Sequence, residues 1–111
     1  MIKADFLKND EGFKLRIEGH SDYAECGKDV VCAAVSGVFY ALCGYLVNFK
    51  HDSFHVRAFE SGLVDIELDE DCESFLQLAC LGLWQIALKF PSNLTVNNKA
   101  WLWRMSSPRN I

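Results

Sequence analysis

Cys32 and His20 are the two side chains of this sequence whose types and surroundings best suit covalent catalysis. Catalysis by a thiol needs a thiolate, a base that takes the thiol proton, and hydrogen-bond donors for the developing oxyanion. Asp29 is a good helix N-cap, and its carboxylate is expected to accept from the backbone N–H of Cys32. Cys32 would then lie in the first turn of a helix, where the helix dipole favours the thiolate. The N–H groups of that turn would serve as oxyanion donors.

The expected partner of this thiol is His20, which follows a predicted hairpin directly after Gly19. An imidazole titrates near neutral pH, so it can take the thiol proton and return it to a leaving amine. The polar loop after His20 is long enough to fold back and set the imidazole beside Cys32. Ser36 lies one helical turn beyond Cys32 on the same face, where it would support the site or bond to its own helix.

Three other interpretations of these residues remain open at this point. A lone cysteine at a helix start is more often a small buried side chain than a nucleophile. His20, Cys26 and Cys32 could together hold a metal ion, although their spacing matches no usual zinc pattern. Cys26 and Cys32 could form a redox pair, although their spacing is not Cys-x-x-Cys.

The hydrophobic pattern predicts the elements that must position these residues, in the order β-β-α-β-β-α-β. Strands are expected at 1–7, 13–17, 51–58, 63–68 and 94–96, and helices at 29–47 and 71–90. Pro91 ends the second helix. This order predicts an α+β fold in which two helices pack against a mostly antiparallel sheet. Trp101 and Trp103, in the C-terminal segment, are expected to pack on the rest of the domain.

The composition limits the class of protein. The 111 residues suit a single domain over 1–111, and the net charge of −4 with scattered Lys and Arg argues against direct nucleic-acid binding. An odd set of five cysteines and an N-terminus without an apolar signal region indicate a reducing compartment, hence the cytoplasm. The uncharged run 30–47 is at the lower limit for a membrane span, but its glycines and tyrosines favour a helix buried on most sides of a soluble domain.

Residues 19–36, GHSDYAECGKDVVCAAVS, closely resemble the signature of the bacterial ribosomal-processing cysteine protease family, Prp. That signature is Gly-His, a short loop with a glycine near its end, and then Asp-(Ile/Val)-Val-Cys-Ala-x-Val-Ser. The residues at matching positions are Gly19, His20, Gly27, Asp29, Cys32 and Ser36. The departures are Ser21, where a small apolar residue is common, and Val30, where isoleucine is frequent.

The resemblance implies a cysteine endopeptidase that removes the N-terminal extension of a bacterial large-subunit ribosomal protein precursor. Carried over by position, Cys32 is the nucleophile and His20 the base, with Asp29, Ser36, Gly19 and Gly27 as supporting residues. The resemblance further implies a homodimer and a mobile loop between the histidine and the cysteine. No metal ion or other cofactor is expected. From its polarity and Gly27, the loop 21–28 is expected to be a lid. The competing functions are a non-catalytic module that binds a ribosomal protein or peptide, and a small thiol-redox protein.

Overall fold

The computed structural model describes residues 1–25 and 28–97. Its elements, in chain order, are strands β1 (Ile2–Asn9) and β2 (Gly12–Glu18), helix α1 (Val30–Phe49), strands β3 (Phe54–Glu60) and β4 (Leu63–Asp69), a single 3₁₀ turn (Glu70–Cys72), helix α2 (Glu73–Lys89) and strand β5 (Leu94–Asn97). The predicted order of elements and the α+β class are confirmed. The second helix begins slightly later than expected because the acidic residues form the 3₁₀ turn.

The five strands form one sheet in the order β3-β4-β2-β1-β5. All neighbouring pairs are antiparallel except β1 and β5, which are parallel. A parallel pair needs a long crossover connection, and α2 provides the last part of it. The expected sheet, mostly antiparallel, is therefore confirmed.

The core lies between one face of this sheet and the two helices. Alternate residues of the strands point into it, as the period of two along a strand requires. From α1, a stripe at helical spacing completes it. Its fully buried side chains include Phe6, Leu15, Ile66, Leu76 and Leu46.

The expectation that the first helix is buried on most sides is wrong. Only one stripe of α1 is buried, namely Val31, Val35, Phe39, Leu42 and Leu46. The outward side chains are exposed because a single sheet and a single neighbouring helix can cover only part of its circumference; Tyr40 is 62% and Phe49 70% exposed. By length and composition, α1 could span a membrane, a property that core helices of soluble proteins share.

Candidate active site

Asp29 joins the start of α1 to the loop that follows β2. As the N-cap residue, it accepts hydrogen bonds at Oδ1 from the backbone N–H groups of Val31 (3.0 Å) and Cys32 (2.9 Å). Its backbone carbonyl accepts from the N–H of Ala33 at 3.1 Å. The predicted cap is therefore present, and it fixes Cys32 in the first turn of the helix.

The second carboxylate oxygen of Asp29 binds the loop. Oδ2 accepts from the Ser21 hydroxyl and from the backbone N–H groups of Tyr23 (3.1 Å) and Ala24 (3.2 Å). The Ser21 bond, and after it the surrounding backbone N–H groups, lower the pKa of Asp29 from 3.8 to about 2, while desolvation acts in the opposite direction. The carboxylate is therefore ionised throughout the neutral range.

The lowered pKa of Asp29 predicts a loss of stability in acid. A carboxyl group whose pKa is lower in the folded protein stabilises the fold above its unfolded pKa and stops doing so as the pH falls through its folded pKa. We expect the thermal unfolding midpoint of the wild type to fall between pH 3.8 and about 2 more steeply than that of Asp29→Asn. Asparagine still caps a helix but does not titrate. Parallel slopes for the two proteins would contradict this prediction.

Ser21 is a site residue whose role the sequence did not reveal. Its side chain is only 1% exposed, and its Oγ lies 3.2 Å from Cys32 Sγ as well as bonding to Asp29. The available signal was a hydroxyl directly after the histidine, at a position where the resembling family commonly has a small apolar residue. The hydroxyl makes Ser21 the link between the Asp29 carboxylate and the sulfur.

The first part of the predicted lid is anchored. Asn93 Nδ2 donates to the Ser21 carbonyl at 2.9 Å, and the Tyr23 ring packs edge-on against Phe90 at 5.3 Å between centroids. Together with the bonds to Asp29, these contacts tie the loop to α1 and to the connection before β5. The predicted lid over 21–28 includes residues outside the described ranges and stays a prediction.

Cys32 and His20 line the same space. Two cavities, of about 470 and 440 Å³, are each lined by His20, Cys32 and Ser36. Cys32 is half-buried and His20 is exposed, so both are open to a substrate. The larger cavity continues between α1 and the turn that joins β3 to β4.

The turn that joins β3 to β4 lies directly against the imidazole ring of His20. Gly62 has φ +80°, and its carbonyl accepts from the backbone N–H of Gly19 at 2.9 Å. A Cβ on Gly62 would lie 2.9 Å from His20 Nε2, so a side chain at this position would require the imidazole to move. Gly19 is itself at φ +97°, where a Cβ would collide with the carbonyl oxygen of Met1. Both glycines therefore let the backbone approach closely at the site.

We expect Gly62→Ala to displace His20 and to lower kcat/KM for the peptide cleavage that the family resemblance implies by about 10- to 100-fold, because small misplacements of a reacting group are costly. The matched control is Gly44→Ala, since Gly44 lies within α1 and a Cβ there meets nothing within 4 Å. Kinetics with a peptide substrate, alongside thermal unfolding of both variants, would test this. Equal activity of the two alanine variants would show that the position of the imidazole does not depend on Gly62.

Three N–H groups at the start of α1, those of Val31, Cys32 and Ala33, already have partners within the protein, contrary to the sequence-based expectation that they serve as oxyanion donors. Those of Val31 and Cys32 bond to the Asp29 side chain, and that of Ala33 bonds to the Asp29 carbonyl. The reason is that a carboxylate cap uses the same donors that an oxyanion would need. Ser36 offers a hydroxyl instead, since within residues 1–25 and 28–97 no hydrogen bond of its side chain is found.

The remaining cysteines of the described residues lie away from this space. Cys72 and Cys80 are buried, and Cys43 is half-buried. Burial raises the pKa of the Cys43 and Cys72 thiols to about 11, which leaves them protonated at neutral pH. Over the described ranges, no group of three or more His, Cys, Asp or Glu side chains could hold a metal ion.

Some predicted residues cannot be placed. Cys26 and Gly27 lie outside the described residues, as do Trp101 and Trp103. The metal site and the redox pair that would use Cys26, and the supporting role of Gly27, therefore stay predictions.

Comparison with known proteins gives one family. The profile of the family described as cysteine protease Prp matches residues 1–95. The chain is 29% identical over 112 residues to the ribosomal processing cysteine protease Prp of Staphylococcus aureus, covering 89% of this chain and 100% of that protein. It is 28% identical over 107 residues to the protein of the same name from Mycoplasma genitalium, covering 91% and 99%.

A solved structure supports the fold. It is the crystal structure of an essential ribosomal processing protease Prp from S. aureus in complex with a covalently linked product peptide, and it matches with a TM-score of 0.76. The sequence identity is 23%, and the match covers 87% of this chain and 98% of that one. The arrangement of five strands and two helices is therefore shared with that protein.

Proposed function

The chain belongs to the Prp family of cysteine proteases, and from that premise we propose that it removes the N-terminal extension of a bacterial large-subunit ribosomal protein precursor. In this proposal Cys32 is the nucleophile and His20 the general base. The observation that carries it is the lining that Cys32 and His20 share in two adjoining cavities at the start of α1.

Acylation is the first half of the reaction. The Cys32 thiol proton passes to a ring nitrogen of His20, and the sulfur attacks the carbonyl carbon of the scissile peptide bond. The tetrahedral intermediate collapses as the C–N bond breaks, and His20 gives its proton to the departing amine. The products of this half are the free C-terminal part of the precursor and a thioester on Cys32.

Deacylation regenerates the enzyme. His20 takes a proton from a water molecule, whose oxygen attacks the thioester carbonyl. The C–S bond breaks, the short N-terminal peptide leaves as a carboxylic acid, and the sulfur recovers its proton from His20. The exposed position of His20 supports this half, because water must reach the imidazole.

The larger cavity fits an extended peptide. From Cys32 it passes along α1 beside Phe39 and Tyr40 and reaches Phe59 and Leu63 of the β3–β4 hairpin. Such an apolar lining suits a segment that carries apolar side chains, while backbone hydrogen bonds would set its direction. The precursor extension is a peptide that such a groove can hold on the N-terminal side of the scissile bond.

Four residues support the dyad in this proposal. Asp29 fixes Cys32 in the first helical turn through its hydrogen bonds to the backbone. Its carboxylate is committed to those bonds and to the loop, so in this proposal it does not orient His20. The Ser36 hydroxyl faces both cavities and is a donor for the substrate carbonyl oxygen. Gly19 gives His20 its close approach to the β3–β4 turn, and Gly27 is assigned to the loop by the family resemblance alone.

The cellular setting follows from the substrate. A precursor made on the ribosome is met in the cytoplasm, where the cysteines would stay reduced. We also assign a homodimer, on the resemblance and on exposed apolar side chains near the end of α1. Val47 and Phe49 are each more than half exposed and line neither cavity, so they remain available for contact with a second molecule.

The test is incubation of the protein with a tagged ribosomal protein precursor, followed by intact-mass spectrometry. We expect one product that lacks a defined N-terminal peptide, and no change in a matched precursor from which the extension has been deleted. An unchanged mass of the extended precursor would overturn the proposal, and would favour the binding module if the two proteins still co-purify.

A further inference from the structure

The buried Ser21 hydroxyl has one hydrogen and two neighbours that can accept it, Asp29 and Cys32, while its oxygen also accepts from the backbone N–H of Tyr23 at 3.5 Å. Its Oγ bonds to Asp29 Oδ2 and lies 3.2 Å from Cys32 Sγ. A hydroxyl supplies a single donor and two acceptor lone pairs. With the side chain 1% exposed, water does not compete for these groups. The direction of the Ser21 hydrogen therefore decides what the sulfur meets.

Asp29 determines that direction while the sulfur is a thiol. An ionised carboxylate accepts hydrogen bonds and cannot donate them, so the Ser21 hydrogen must point to Oδ2. The oxygen of Ser21 then presents a lone pair to Cys32. That contact is favourable when Cys32 carries its own proton and donates S–H to Ser21 Oγ.

The thiolate meets a different environment. With the hydrogen still on Asp29, a negative sulfur would face an oxygen lone pair. If the hydroxyl turns toward the sulfur instead, it stabilises the thiolate, and Asp29 Oδ2 keeps the N–H groups of Tyr23 and Ala24. The rotation is therefore feasible, but it gives up a charge-assisted hydrogen bond to oxygen for one to sulfur.

We propose that Ser21 is a positioning residue that holds Cys32 as a neutral thiol at rest, and whose hydroxyl hydrogen turns from Asp29 to the sulfur once the thiol proton has moved to His20. This inference rests on the proposed function, because it assigns the moment at which the nucleophile forms. It also belongs to this chain in particular, since a small apolar residue at this position has no hydrogen to turn.

Other groups face the sulfur as well. Within the described part of the chain, the charged or titratable side chains that line the two cavities with Cys32 are His20, Asp22, Asp29, Tyr40 and Glu60. The N-terminal ammonium pairs with Asp22 at 3.2 Å. Of these side chains, only Asp29 bonds to Ser21. Variants at positions 21 and 29 therefore separate the effect of the hydroxyl from that of the other charged groups.

The first measurement is the rate of alkylation by iodoacetamide as a function of pH. We expect Ser21→Ala to move the alkylation midpoint of Cys32 about one pH unit lower, which is roughly tenfold faster reaction below the midpoint, since one hydrogen bond has about this effect. In Ser21→Ala the Cys32 thiol loses the oxygen that accepts its S–H bond. The thiolate loses only a hydroxyl donor that would first have to leave its bond with Asp29.

The second measurement tests whether the shift of the alkylation midpoint changes direction when Asp29 is replaced. In Asp29→Ser a single hydroxyl still caps the helix but carries no second oxygen for Ser21. The Ser21 hydrogen is then free to stabilise the thiolate at rest. In that background, Ser21→Ala should raise the alkylation midpoint instead of lowering it. A merely structural Ser21 would shift both backgrounds in the same direction.

Two controls complete the experiment. Peptide mapping by mass spectrometry assigns each alkylated cysteine, and the raised pKa values of Cys43 and Cys72 make those thiols slow at neutral pH. Thermal unfolding checks that all four proteins are folded. Equal midpoints with and without the hydroxyl, or the same sign in both backgrounds, would overturn the inference. Because alkylation needs no substrate, its outcome is independent of whether the protein cleaves a precursor.

Discussion

Cys32→Ala is expected to abolish precursor cleavage, with a loss of kcat/KM on the order of 10⁴-fold or more, because removal of the nucleophile leaves only substrate binding and electrostatic effects. The side chain is half-buried in the first turn of α1 and opens to both cavities, so its loss removes one sulfur and leaves the Asp29 cap bonds to the backbone intact. Intact-mass spectrometry of the precursor and peptide kinetics measure this loss.

Cys43→Ala is the matched control for this variant. Cys43 is also half-buried and lies on the same helix, but burial raises the pKa of its thiol to about 11 and it lines neither of the two cavities. We expect this variant to cleave the precursor at close to the wild-type rate, with some loss of thermal stability. Cleavage that survives Cys32→Ala, or that disappears equally in both variants, would refute the role of Cys32.

His20→Ala is expected to lower kcat on the order of 10³-fold, since general acid–base catalysis contributes about this much, with a smaller change in KM. The imidazole is exposed above Gly62, so its removal opens space without leaving a buried polar group unpaired. Added imidazole should restore part of the rate, because a small base can enter the space that the side chain leaves.

His51→Ala provides the comparison for the histidine. His51 lies in the turn between α1 and β3, with a side chain that is 74% exposed and an Nε2 atom 3.3 Å from Asp52 Oδ1. We expect wild-type kinetics for this variant and no response to imidazole. If His20→Ala retained the wild-type kcat, the base would have to be sought elsewhere along the cavity.

Much of the fold could be read from local patterns. Alternation in residues 63–68 predicted a half-buried strand, and the structure has β4 at Leu63–Asp69. Asp29 before an apolar run predicted a capped helix, and α1 begins at Val30 with that cap. These features depend on neighbouring residues, so spacing and residue type are sufficient to predict them.

The sheet order and the exposure of α1 could not be read in this way. That β1 lies between β2 and β5, and that β3 is an edge strand, depends on which distant segments pair. The uncharged run 30–47 predicted a helix buried on most sides, yet the number of elements that pack around a helix is a property of the whole domain. The hydrophobicity of a segment does not by itself show how many other elements pack against it.

By itself, the sequence determined the elements, their order and the helix cap, because each depends on short-range spacing, and a contiguous motif in it predicted the pairing of Cys32 with His20. Only the tertiary structure decided that Gly62 lies against the imidazole, that the N–H groups of Val31 and Cys32 bond to the Asp29 side chain, and that Ser21 links Asp29 to the sulfur. Gly62 belongs to a distant hairpin, and the other two depend on the direction of individual hydrogen bonds. Such contacts depend on how distant segments of the chain come together. Residue type and spacing along the sequence are only indirectly related to that.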